Sequence, residues 1–121
     1  MSVKIYMPLL LFVTFWFETH VQSAMTKQDF AQRAEWYLKD PMKIRMEVCD
    51  KTKYFCNKIG KPVRFKIEMI GYLNGILRAF KAKKDNKDLE MIENLEEKIW
   101  EMKEMTGDDL CDYAERNTCP Q

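Results

Sequence analysis

Four cysteines carry the most position-constrained chemistry in this 121-residue chain: Cys49, Cys56, Cys111 and Cys119. Such side chains can be metal ligands, nucleophiles or disulfide partners. Cys49 and Cys56 stand seven apart in the run VCDKTKYFC, and Cys111 and Cys119 stand eight apart. Neither pair has the close C-x2-C spacing of a thiolate metal site. A nucleophilic thiol needs an adjacent base, and the one histidine, His20, lies in the amino-terminal segment. An even number of cysteines in an exported chain reads as two disulfides. If Cys49 and Cys56 share an unbroken α-helix, seven residues separate their Cα atoms by about 10.5 Å. A disulfide requires roughly 4.4–6.8 Å. An intact helix therefore forbids the local bond. Two pairs of similar spacing can join two antiparallel segments, which gives Cys49–Cys119 and Cys56–Cys111. The alternative is local pairing, with the helix broken within DKTKYF.

The start of the chain bears on compartment. Lys4 precedes an apolar run from Leu9 to Phe17, and Val21-Gln22-Ser23-Ala24 follows. This reads as a secretory signal peptide over 1–23, with Ser23 and Val21 at the small-residue cleavage positions. The run is shorter than the ~20 residues a membrane span needs. The expected product is one small domain over 24–121, exported and without a membrane span. That region contains no serine and no histidine. A Ser-His-Asp triad, a Cys-His pair and a histidine-based zinc site are thereby excluded. No G-x-G-x-x-G or phosphate loop is present, so no cofactor and no metal are expected. Carboxylate-pair chemistry would have to use Glu93, Glu96, Glu97, Glu101 and Glu104, but these alternate with an apolar helical stripe and read as a solvated face. A non-enzyme is expected.

The elements that must position these residues are helical almost throughout. Thr26 with Asp29 resembles a capping box, and Phe30, Ala34, Tyr37 and Leu38 form an apolar stripe behind it. Asp40-Pro41 ends that helix and opens the next, which carries Ile44, Val48 and Phe55 and ends near Asn57 and Gly60. The segment from Val63 is ambiguous. Val63-Arg64-Phe65-Lys66-Ile67-Glu68 alternates like a strand and Asn74-Gly75 is a hairpin signal. Yet Val63, Ile67, Ile70, Asn74 and Leu77 form one helical stripe, and Phe65, Met69, Tyr72, Leu73, Ile76 and Phe80 form a second beside it. An isolated hairpin would have no sheet partner, which favours a helix buried on most sides or lining a cavity. Gly71 and Gly75 would let another backbone approach. Leu89, Ile92, Leu95, Ile99 and Met102 define a further helix with Gly107 as its cap, and Asp108-Asp109 open a short last one. The fold class is all-α: a four- to five-helix bundle stapled by two disulfides.

Charge is divided unevenly. Residues 24–87 hold sixteen bases and seven acids, net +9, while 88–121 hold three bases and eleven acids, net −8. The acidic end can pack against the basic remainder or the surface can steer a charged partner. Lys81, Lys83, Lys84 and Lys87 crowd one loop and are candidates for contact with an acidic protein patch or a polyanion. A nucleic-acid partner is not expected at a pI near 7.6.

Two functions remain. One is an extracellular protein-binding effector. The other is a carrier of a small apolar ligand, with a pocket of Phe65, Met69, Tyr72, Ile76 and Phe80, and with Trp100, Met102 and Met105 as further soft or aromatic groups. CDKTKYFC shares the C-x6-C spacing of arthropod chemosensory proteins, but the C-x2-C that follows there is missing. The plan of signal peptide, about four helices and four cysteines looks more like the small salivary proteins of blood-feeding mosquitoes, of the anophensin and albicin type. That resemblance, of architecture and not of motif, implies an inhibitor of complement or contact activation and transfers no binding residue.

Overall fold

The computed structural model describes residues 25–83 and 88–120. Among them are five α-helices and no strand: α1 Lys27–Lys39, α2 Pro41–Thr52, α3 Pro62–Ala82, α4 Leu89–Glu104 and α5 Gly107–Thr118. A six-residue π-helical segment, Lys53–Lys58, continues α2. No helix among the described residues is long and apolar enough to cross a membrane. Residues 1–23, expected to be a signal peptide, and Lys84 and Lys87 lie outside the described residues.

Local chemistry sets the helix ends. Thr26 accepts from the Asp29 amide and the Asp29 carboxylate accepts from the Thr26 amide, which completes the capping box. The bond from the Thr26 amide, and then the Thr26 hydroxyl, hold the Asp29 carboxyl below its usual range. Pro41 and Pro62 occupy first-turn positions, where a missing N–H costs nothing. The π segment closes through the Ile59 amide to the Tyr54 carbonyl, 2.9 Å, and the Lys61 amide to the Phe55 carbonyl, 2.6 Å. The second closure needs a left-handed residue between them, and Gly60 supplies it at φ +61°.

Val63 to Phe80 is helix. The strand-like alternation is overridden by the second apolar stripe, because Phe65, Met69, Tyr72, Leu73, Ile76 and Phe80 are all buried. The first stripe is divided: Leu77 is buried, whereas Val63 and Ile67 are 67% and 61% exposed. α3 is thus the central helix, packed against α1, α2, α4 and α5, with one outward apolar edge. Phe65, Ile76 and Leu95 have no exposed surface, and with Phe80, Leu110 and Ala34 they form the middle of the core.

Gly107 does not end α4 in the left-handed conformation expected from the sequence. It is the buried first residue of α5, whose N-cap is Thr106, bonded to the Asp109 amide. A Cβ at Gly107 would lie 2.7 Å from the backbone carbonyl of Pro62, so glycine is required there for the close approach of α5 to the start of α3.

Candidate functional site

The cysteines pair across segments, as Cys49–Cys119 and Cys56–Cys111, with Cα atoms 5.0 and 6.1 Å apart. The helix around DKTKYF does not break; it widens to π. Cys49 lies on the α-helical part and Cys56 on the π part, and both reach α5 or its end. Cys119 sits just beyond the end of α5, off the helical register of Cys111, and this accommodates the eight-residue spacing. The chain from α2 through the π segment and α5 therefore form an antiparallel pair joined at two points.

At the other side of α2 lies a polar knot that sequence reading did not find. Arg33 of α1 donates twice to Glu47 of α2, from Nη2 to Oε2 at 2.6 Å and from Nε to Oε1 at 3.0 Å. Tyr72 of α3 donates its hydroxyl to Glu47 Oε1 at 2.6 Å. The Arg33 guanidinium also lies 4.8 Å from the Trp36 ring centre, and Lys51 lies 5.1 Å from that of Tyr72. Burial alone would raise the Glu47 carboxyl, but the bonds from Arg33 and Tyr72 and the charges of Arg33 and Lys51 outweigh it and hold it below its usual range. Burial, and then the bond to Glu47, push the Tyr72 phenol well above its ordinary value. A carboxylate so occupied has little capacity left to accept a proton from a substrate. It fastens three helices. No local sequence pattern marks it, since its three members are 14 and 25 residues apart.

α4 packs chiefly on α3 and stands away from α2 and α5. The gap is a cleft of about 430 Å³. Its floor is apolar, with Ile44 and Val48 of α2, Met69 and Leu73 of α3, Met102 of α4 and Leu110 of α5. Arg45, Lys98, Glu101 and Tyr113 stand at its rim. Of the five residues expected to line an apolar pocket, Met69 lines this cleft. Tyr72 lines a separate, shallower depression of about 320 Å³ with Met25, Phe30 and Lys51. Phe65, Ile76 and Phe80 line neither and belong to the close-packed core.

The opposite flank of α4 builds a different surface. Glu96 and Trp100, four residues apart, share that flank. Glu96 meets Lys81 of α3 at 3.1 Å, so the flank borders the outer edge of α3. Val63 and Ile67 are exposed on that edge, and Trp100 is 66% exposed. The loop lysines are partly engaged within the chain: Lys81 with Glu96, and Lys83 with Asp88 at 3.9 Å and with the face of Phe80. Glu93, Glu96, Glu97, Glu101 and Glu104 are all exposed along α4. Among the described residues, no group of three or more His, Cys, Asp or Glu side chains is placed to hold a metal ion. No family model, no curated protein and no solved structure matches this chain.

Proposed function

We propose that the chain is an exported, non-enzymatic effector that acts by binding another protein through the outer α3–α4 surface. The observation that carries this reading is the exposure of Val63, Ile67 and Trp100 on two rigid helices. Tryptophan is enriched among residues that dominate protein interfaces, and a fixed helical backbone keeps the ordering cost of binding low. Lys66 and Arg64 lie on the same stretch of α3, and Glu96 with Lys81 adds a polar border. Two cross-segment disulfides suit an extracellular setting. The architectural resemblance to salivary inhibitors directs the first trial to plasma proteins of complement and contact activation.

The test is a haemolysis and a clotting assay with the purified chain and with Trp100→Ala and Val63→Glu/Ile67→Glu. The expected result is inhibition by the chain that falls about tenfold or more in the variants, the usual size for losing an interface anchor. The variants should keep the helical circular dichroism of the parent. Inhibition unchanged in both variants would remove this surface from the reading, and no inhibition in either assay would remove the proposed cascades.

A further inference from the structure

The cleft on the inner flank of α4 is independent of the proposed interface, because its lining residues leave α4 on the other side from Trp100. Its volume falls in the range of sites that enclose small organic ligands. Its apolar walls include Met69, Met102 and Met105, whose unbranched thioethers adapt to a flexible ligand. Arg45 and Lys98 stand at the rim from opposite walls, one on α2 and one on α4. Neither is within ion-pair or hydrogen-bonding distance of a partner among the described residues. Glu101 is the one carboxylate in the lining. Two cations and one carboxylate leave a rim with net charge +1.

We infer that this cleft binds a single-chain carboxylate amphiphile, a free fatty acid, with its tail against Met69, Leu73, Met102 and Leu110 and its headgroup between Arg45 and Lys98. The chemistry follows from the charge balance. A monoanion neutralises the rim, whereas a dianionic phosphate would meet Glu101 with excess charge. Arg45 offers the planar donor pair that a carboxylate accepts, and Lys98 supplies a second charge from the facing wall. A neutral ligand would leave the rim's net positive charge in place over an apolar floor. The tail buries in the gap that exists because α4 rests on α3 and not on α2.

The experiment titrates the oxidised, disulfide-bonded chain with decanoate below its micelle concentration, read by calorimetry and by native mass spectrometry. Decanol is titrated in parallel. The expected result is saturable one-to-one binding of decanoate, at least about tenfold weaker for decanol and for the double reversal Arg45→Glu/Lys98→Glu, the size expected for losing charge-assisted hydrogen bonds. Both reversed residues are exposed, so the fold is not at risk. Trp100→Ala should leave decanoate binding unchanged. Any of three outcomes overturns the inference: no saturable decanoate binding, equal binding by the double reversal, or loss of binding in Trp100→Ala. The last would move the ligand to the outer surface.

Discussion

The α2–α5 pair and the α3–α4 pair are held together by different means. α3 is 21 residues long and buries eight of them, and α4 sets Leu95, Ile99 and Met102 against it. α2 and α5 have 12 residues each. α2 buries Ile44, Val48, Cys49 and Thr52, and α5 buries Gly107, Leu110 and Ala114. Full burial of a large apolar side chain contributes about 1.5–3 kcal/mol, so the α2–α5 pair, which buries fewer of them, has less to hold it. Both disulfides fall there, across sequence separations of 70 and 55. Cross-links have been placed where packing is thin, and the central helix needs none.

The largest expected effect breaks this contrast directly. Replacing Cys49 and Cys119 by Ala should cost about 2–4 kcal/mol, the usual contribution of a disulfide that closes a long loop. Since small domains carry only about 5–15 kcal/mol in total, losing both bonds should bring the fold close to its limit. Urea unfolding measures the loss. Hydrogen exchange on the single-bond variant locates it: α5 and the π segment should lose protection before α3 and α4. An even loss of protection across all helices would mean that the two pairs do not differ as argued.

The polar knot sharpens the comparison, because Glu47 ties α2 to α1 and α3 where no disulfide does. Glu47→Ala should cost about 2 kcal/mol, a partly buried ion pair with one partner removed. The pH dependence has a sign on each side. The Glu47 carboxyl is lowered in the fold, so its contribution is complete above its ordinary value of 4.5 and is lost as pH falls through the folded value. The Tyr72 phenol is raised, so its contribution is complete below its ordinary value of 10.0 and is lost as pH rises through the folded value. Thermal melts of Glu47→Gln should therefore lose part of the acid limb seen in the parent, and Tyr72→Phe part of the alkaline limb. Parent and variants with parallel profiles would exclude the knot as a contributor.

Why some of this could be read from residues and some could not follows from range. The capping box at Thr26, the proline starts and the stop at Gly60 are local, and they appear as expected, while of the two helical stripes on α3 only that of Phe65 to Phe80 is buried throughout. The disulfide pairing was accessible because one distance, seven residues of helix, excludes the local bond. The knot and the cleft depend on which helix faces reach each other. Arg33, Glu47 and Tyr72 meet only through the packing of three helices, and Arg45 and Lys98 frame a gap left between two others. Phe65, Ile76 and Phe80 illustrate the same limit, since a stripe of large apolar side chains has the same pattern whether it lines a cavity or fills a core. Gly107 reads as the cap of α4 but begins α5, because glycine serves both left-handed turns and close backbone contacts.

The smallest effects separate two glycines of α3 that the sequence treats alike. Gly71 and Gly75 stand four apart and were expected to admit a neighbouring backbone. What approaches Gly75 is the Phe30 ring of α1, which a new Cβ would penetrate; Gly71 has open space around its Cβ position. Gly75→Ala gains helix propensity of about 1 kcal/mol but must displace an aromatic ring, and overpacking typically costs about 1–3 kcal/mol. The net result should be a loss of about 1 kcal/mol. Gly71→Ala keeps the propensity gain without the clash and should stabilise by about 0.5–1 kcal/mol. In a domain of this size such changes move the melting temperature by about 4–8 °C per kcal/mol, in opposite directions for the two variants. Equal shifts of one sign would mean that Phe30 does not rest on α3, and with it would go the docking of α1 against the central helix.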